Sequence, residues 1–116
     1  MAALEHKLSD PVELFGKPVE KVYLLEPRAR HLSRFGEPQQ SVYNAKTGTG
    51  YSVDNDESIS KYIDDLLSID GVNPVDGGGR TLYAQLSLED GIAVRDALLD
   101  FFVKVKLRLI SARSTA

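Results

Sequence analysis

Pro27 constrains the fold of this chain more than any other residue, because it stands between an alternating apolar stretch and a cluster of basic residues. Proline cannot donate to a β-ladder but is well placed in the first turn of a helix. Residues 12–15 and 19–25 alternate around a Gly-Lys-Pro turn, as the strands of a hairpin do. The sequence therefore predicts an N-terminal β-hairpin that passes at Pro27 into a short helix over residues 28–35.

The spacing of apolar residues predicts a second helix beyond residue 56. They recur at i, i+3, i+4, i+7 and i+8: Ile59, Tyr62, Ile63, Leu66 and Leu67. Residues 54–56, Asp-Asn-Asp, supply N-cap candidates and early acidic charge. We expect an amphipathic helix whose apolar stripe faces the core.

A third helix is predicted from residue 87 to about residue 102. Ser87 and Asp90 have the spacing of a capping box, with an acid at the third helical position. Its apolar residues cover more than one face: Leu88, Ile92, Val94, Leu98, Leu99, Phe101 and Phe102. Such a helix needs cover on two sides. We expect the core to supply one side, through packing against the second helix, and a partner to supply the other.

The sequence of residues 103–110 fits two different secondary structures. Strict alternation of apolar and basic residues favours a strand, whereas the neighbouring residues favour continuation of the third helix. A strand would have one basic face, and a helix would place Lys104 and Arg108 one turn apart. The sequence leaves both possibilities open.

Two connections and a tail complete the expected architecture. Residues 37–52 and 71–81 are rich in Gly, Pro, Asn and other loop-forming residues, so we expect flexible loops there. Residues 111–116 are expected to form a frayed tail. Together these features predict a single α+β domain over residues 1–116, mainly α, with a short β-hairpin followed by about three helices.

The composition of the chain narrows the range of functions that it can have. A length of 116 residues fits one domain with one core. The 14 Lys and Arg against 17 Asp and Glu give a net charge of −3, which disfavours general nucleic-acid binding. The absence of cysteine excludes thiolate zinc sites and cysteine nucleophiles. No signal peptide and no apolar run of about 18 residues is present, so we expect a cytoplasmic protein with no membrane partner.

The basic cluster has two interpretations. Arg28, Arg30, His31 and Arg34 could bind an anion or nucleic acid near the start of a helix. Helical spacing and the negative net charge favour the other interpretation, a solvated helix face opposite buried apolar residues. His31 lacks a neighbouring histidine, so we expect no metal there.

No sequence pattern supports catalysis or a cofactor. The Gly-rich segments at 48–50 and 77–80 fit neither phosphate-loop pattern and are interpreted as hinges. Residues 54–65 lack the glycine that a calcium loop requires. The neighbouring acids Asp64-Asp65 and Glu89-Asp90 are expected on polar helix faces, near Lys61 and Arg95, where no pair of split pKa values is predicted. We therefore expect a protein that is not an enzyme.

The hairpin, the Leu25-to-Leu32 joint LEPRARHL, the helix SISKYIDDLLSID and the segment LSLEDGIAVRDALLDFF resemble one known family. This family is the tail assembly chaperones of long-tailed bacteriophages, which includes the proteins called tail protein E and the Mu-like tail assembly proteins. The resemblance covers most of the chain, and residues 37–52 and 72–82 look like insertions. Its motifs are patterns of apolar positions with one proline and one aspartate.

The resemblance implies a non-enzymatic phage or prophage protein that acts in the host cytoplasm and is absent from the mature virion. Its partners would be the tape measure protein, which it keeps soluble, and tail tube subunits, which it recruits, with self-association into a homo-oligomer. The alternative is a structural virion protein such as a tail terminator or head–tail connector subunit. We predict partner contacts at these residues: Arg28, Arg30, Leu98, Leu99, Phe102, Val105 and Leu109. For the apolar members of this set, ordinary core packing is an equally good interpretation.

Overall fold

The chain begins with the predicted β-hairpin, which is longer than the sequence pattern indicated. A computed structural model describes residues 3–114, with β1 at Leu4–Leu14 paired antiparallel to β2 at Lys17–Leu24. The predicted turn at 16–18 is wrong, because Phe15 and Gly16 form the turn, with φ angles of 52° and 74°. Two consecutive left-handed residues match the twist of the strands they join. Phe15 is a costly residue for this conformation, since it carries a side chain.

α1, at Ala29–Phe35, confirms the helix expected after Pro27. The sequence between β2 and α1 holds Pro27, whose ring has no N–H to donate and fixes the backbone φ angle just before α1 begins. The ladder stops at Leu24, and the Leu25 N–H instead donates to the Leu66 carbonyl at 2.9 Å. The segment just after β2 is therefore bonded to the end of the helix over residues 56–66, and α1 begins after this contact.

The prediction of a flexible loop at residues 37–52 is wrong. Residues Gln39–Asn44 form β3 and residues Thr49–Asp54 form β4, a second antiparallel hairpin that makes its own two-stranded sheet. Apart from the half-buried Gln39, every residue of both strands is exposed. A hairpin with no buried face leaves little of the alternating pattern by which strands are recognised.

α2, at Asp56–Leu66, is the predicted second helix, and the side-chain oxygen of its N-cap Asn55 accepts the Ser58 N–H at 3.2 Å. β5, Leu67–Ser68, follows directly and pairs with β2, giving a sheet of order β1-β2-β5. Residues 69–79 are irregular, as expected for most of the 71–81 segment, but its last two residues begin α3 at Arg80–Gln85. α3 is only six residues long, too short to show a helical period.

α4, at Leu88–Ser114, contains 27 residues and decides the question left open at residues 103–110 in favour of a helix. The prediction of a frayed tail from residue 111 is wrong as far as Ser114, because the helix continues to that residue; residues 115 and 116 lie outside the described part of the chain. An ion pair between Lys104 and Asp100, one turn apart at 2.9 Å, accompanies the continuation.

The core lies where the three-stranded sheet, α2, α3 and the first half of α4 meet. All five residues of the predicted α2 stripe are buried, and the largest completely buried apolar side chains come from five different elements: Val22, Tyr62, Leu67, Leu82 and Leu98. The expected α+β domain is confirmed, with four helices among the described residues instead of about three.

Candidate protein-binding groove

The joint at Pro27 is held by a buried histidine. The Arg28 N–H donates to Nδ1 of His31 at 2.9 Å, and the His31 N–H donates back to the Arg28 carbonyl at 2.9 Å. Burial, together with the positive charges of Arg30 and Arg34, lowers the pKa of His31, whereas Asp65 opposes this shift. The ring is therefore neutral at pH 7 with Nδ1 as an acceptor. Its Nδ1 caps α1.

A chain of aromatic contacts fixes α1 against α2 and α4. Tyr62 of α2 lies between Phe35 of α1 and Phe102 of α4, with edge-to-face ring centroids 5.2 and 5.4 Å apart. The Tyr62 hydroxyl donates to the carbonyl of Gly36 at 2.8 Å, just after α1 ends. These contacts determine the angle between α1 and α4 and hence the shape of the surface between them.

The buried stripe of α4 continues beyond the body of the domain. In its first part, residues 88–102, which we call the embedded half, Val94 and Leu98 are buried. At helical spacing the same stripe runs on through Phe102 to Val105 and Leu109. Every residue from 103 to 112 is exposed; we call residues 103–114 the projecting half. An apolar core stripe thus extends past the elements that would cover it.

This extension lies beside α1 and forms a groove of about 280 Å³. Its apolar walls come from the joint and α1 on one side and from α4 on the other: Pro27, Ala29, Leu32, Phe101, Phe102, Val105 and Leu109. Leu32, Val105 and Leu109 are 42%, 41% and 52% exposed. Large apolar side chains that line a concave surface and remain this exposed are typical of a binding site.

Charged residues stand at the rim of the groove. Glu26, Arg28, Glu37 and Lys106 line it, and the Lys106 ammonium meets the Glu37 carboxylate at 2.9 Å. That pair joins the projecting half of α4 to the segment after α1. Among the described residues Arg28 makes no ion pair. The groove therefore has an apolar floor, one closed ion pair and one available cation.

The predicted contact residues separate into two groups. Arg28, Phe102, Val105 and Leu109 all line the groove, so the structure brings four of the seven together. The other three are Arg30, Leu98 and Leu99, which lie outside the groove lining. Arg30 is exposed on α1, and half-buried Leu99 packs against the core. Leu98 has no exposed surface and is a core residue, which corrects its assignment as a contact.

Asp90 is the residue that the sequence interpretation placed wrongly. It was expected on a polar helix face, yet it is completely buried. Its Oδ1 accepts the Ser9 N–H and Nε2 of His6, both at 2.9 Å. Its Oδ2 accepts the Ser87 hydroxyl at 2.9 Å, the Ser9 hydroxyl at 3.2 Å and the Asp10 N–H at 3.3 Å. The capping-box spacing of Ser87 and Asp90 was the one available signal, but the partners from β1 are about eighty residues away.

The chemistry of this cluster is structural. Burial alone would raise the pKa of the Asp90 carboxyl, but hydrogen bonds from Ser9, His6 and Ser87 outweigh burial and hold that pKa well below its usual range. Both serine hydroxyls bond to the carboxylate and not to the imidazole, so the nucleophile-to-base contact of a catalytic triad is missing. Asp90 joins the irregular middle of β1, where the register shifts between Lys7 and Val12, to the start of α4.

Other charged residues are also occupied by structural contacts. Arg95 donates to Asp54 and Asp56 at 2.8 Å each, which ties the end of β4 and the start of α2 to α4. Within residues 3–114 no three His, Cys, Asp or Glu side chains converge as metal ligands would. No helix in that same range combines the length and apolar character needed to cross a membrane.

Comparison with protein-family models, with curated protein sequences and with solved structures gave no match. The groove between α1 and α4 is therefore assigned from its own geometry. Five of its lining residues belong to the LEPRARHL joint: Glu26, Pro27, Arg28, Ala29 and Leu32.

Proposed function

We propose that this protein is a phage or prophage tail assembly chaperone, which binds an apolar helical segment of the tape measure protein in the groove between α1 and α4. The observation that carries the proposal is the core stripe of α4 that continues, uncovered, from Leu98 to Val105 and Leu109. A second helix laid beside α4 would complete the packing that the body of the domain leaves unfinished. The choice of the tape measure protein as the partner rests on the sequence resemblance.

Binding in this groove needs no chemistry. The Asp90 carboxylate already accepts several hydrogen bonds, and the His31 ring caps α1. Both of these buried polar groups therefore stabilise the fold. We therefore propose a non-enzymatic protein without a cofactor, which acts in the cytoplasm of a bacterial host. It recruits tail tube subunits after the tape measure protein has been bound and is left out of the finished particle.

A single groove of this size gives modest affinity, since it buries only a few side chains of a partner. A tape measure protein is long, so many copies can line up along it. Tethering of many weak contacts then raises the overall affinity without any new contact. The same weakness allows the copies to be displaced when the tail tube polymerises.

The test is co-expression with a tape measure protein, which the proposal expects to be encoded directly downstream of this gene. We expect the wild-type chain to keep the tape measure protein in the soluble fraction, and Val105→Glu to abolish this effect because it places a charge in the groove. Leu88→Glu is the matched control, since Leu88 is 81% exposed at the other end of α4. Circular dichroism establishes that both variants remain folded.

Two results would contradict the proposal. One is that the wild-type chain leaves the tape measure protein insoluble. The other is that the protein remains in stoichiometric amounts in purified particles, as a tail terminator or connector subunit would.

A further inference from the structure

α4 has a second exposed apolar face, which is distinct from the groove. Ile92, Leu99, Val103 and Ile110 follow one another at intervals of one or two helical turns and so share one side of the helix. Ile92, Val103 and Ile110 are 50%, 44% and 57% exposed. None of the four lines the groove. The groove proposal therefore leaves this face unexplained.

The charges on α4 are separated along its length. Glu89, Asp96 and Asp100 lie in the embedded half, whereas the projecting half carries Lys104, Lys106 and Arg108 and has no acid. Arg95, the exception in the embedded half, is already bonded to Asp54 and Asp56. The sign of the charge changes near Phe101, the middle residue of α4.

From this arrangement we propose that two copies of the chain pair through this second face, with their α4 helices antiparallel and centred on Phe101. This pairing sets Ile92 against Ile110 of the second copy and Leu99 against Val103 of the second copy. It also sets Asp96 against Lys106 of the second copy. The same contacts repeat on the other side of the two-fold axis, as a closed dimer requires.

Charge complementarity selects a second copy in this orientation. A parallel pair in register would place Asp96 beside Asp96 and Lys106 beside Lys106, and like charges side by side disfavour association. The antiparallel pair places the acidic half of each helix along the basic half of the other. Among the described residues Asp96 makes no ion pair, whereas Lys106 already meets Glu37 at 2.9 Å, so in the dimer the Lys106 ammonium bridges Glu37 of its own chain and Asp96 of the second copy.

The geometry of the monomer fits this pairing. A helix of 27 residues is about 40 Å long, and here its second half extends past the body of the domain. In an antiparallel pair, each projecting half lies along the embedded half of the other copy, so the part of α4 that is exposed in the monomer is covered by the dimer. This inference does not rest on the proposed function, since its apolar residues lie outside the groove and only Lys106 at the rim is shared by the two surfaces.

Sedimentation velocity of the full chain tests the dimer. We expect the wild-type chain to dimerise and Val103→Glu to be monomeric. Asp96→Lys and Lys106→Asp should each weaken dimerisation by at least about tenfold, and the double variant should restore most of that loss. Lys106 also meets Glu37 across the groove, so the single Lys106→Asp variant is the reference for the double variant. Val105→Glu should still dimerise, which separates this proposal from the groove.

Disulfide crosslinking tests the orientation, because the natural chain contains no cysteine. A variant with both Leu99→Cys and Val103→Cys should form a covalent dimer on mild oxidation, whereas Val103→Cys alone should not. Efficient crosslinking by Val103→Cys alone would show a parallel pair and overturn the proposal. So would a monomeric wild-type chain at about 100 µM, a concentration at which even modest self-association is visible, or a charge-swapped double variant that stays folded without regaining the dimer.

Discussion

The two halves of α4 have similar apolar side chains but entirely different surroundings. In the embedded half, Val94 and Leu98 pack against the sheet and α2, and Asp90 fixes the helix start to β1. In the projecting half, Val105 and Leu109 continue the same stripe with only α1 beside them. The difference shows that burial on this helix is decided by which elements reach it and not by the helical pattern, so Val105 and Leu109 stay exposed although they continue the buried stripe.

The largest expected effect comes from removing the carboxylate that fixes the embedded half. Asp90→Ala would leave two backbone N–H groups, two hydroxyls and His6 without their buried acceptor. We expect a loss of about 3–5 kcal/mol in the free energy of unfolding, measured by urea denaturation. Glu20→Ala, which removes an exposed acid of β2, should change this value by less than about 0.5 kcal/mol. Equal effects of the two variants would contradict the structural role given to Asp90.

A matched pair of leucines compares the two halves directly. Leu98→Ala should cost about 2–5 kcal/mol because it opens a cavity in a closed core. Leu109→Ala, on the same stripe but 52% exposed, should cost less than about 1 kcal/mol. Similar losses of stability in urea denaturation would mean that the projecting half is already buried, for example by the dimer, and dilution would then separate the two causes.

Acid should weaken the contacts of His31 and those of Asp90 at different pH values. The pKa of His31 is below its ordinary value of 6.5, so the unfolded chain binds more protons there and stability falls as the pH drops below 6.5. The pKa of Asp90 is well below its ordinary value of 3.8, so its contribution is complete above that value and is lost as the pH falls further. We expect a first, smaller loss of stability below pH 6.5 and a larger second loss below pH 3.8 in denaturation curves taken across this range. His31→Leu should remove the first loss, and its persistence would implicate another group.

The smallest expected effect concerns the ion pair that holds the projecting half. Lys106→Ala removes the 2.9 Å contact with Glu37, and an exposed pair of this kind contributes at most about 1 kcal/mol. Hydrogen exchange of the amides in residues 103–114 should therefore be only modestly faster in this variant than in the wild type. Because salt screens the ion pair, this difference should become smaller at high salt. Lys104→Ala, which removes a pair within the helix itself, is the control. A large rise in exchange confined to Lys106→Ala would show that this contact controls the groove.

Local signals predicted the parts of the fold that local chemistry determines. Pro27 marked the joint because its ring forbids a ladder hydrogen bond, and the α2 stripe was readable because each of its five residues is buried. The β3–β4 hairpin was missed because its strands bury nothing. Phe15 was not placed in the first turn because a bulky left-handed residue is the exception there.

Features formed by distant residues could not be predicted in the same way. Asp90 gave only a capping signal, since its other donors come from the opposite end of the chain. Residues 103–110 alternate because apolar side chains occupy two faces of a helix, and that pattern also fits a strand. Leu98 and Val105 both fit the apolar stripe of α4 in the sequence. Only the folded chain shows that the packed body of the domain ends between them, so that Leu98 is buried and Val105 is exposed. For this reason only four of the seven predicted contact residues line the groove.

The second hairpin has a practical consequence for protein engineering. Pro38 and Asn55 flank it, and the Asn55 N–H donates to the Pro38 carbonyl at 2.8 Å, so the chain enters and leaves β3–β4 at one point. With a nearly fully exposed sheet between these residues, a fluorophore, an affinity tag or a whole reporter domain could replace the tip at residues 45–48. The helical circular dichroism signal should be preserved in such a fusion. This segment is thus a ready attachment site for a label on the folded protein.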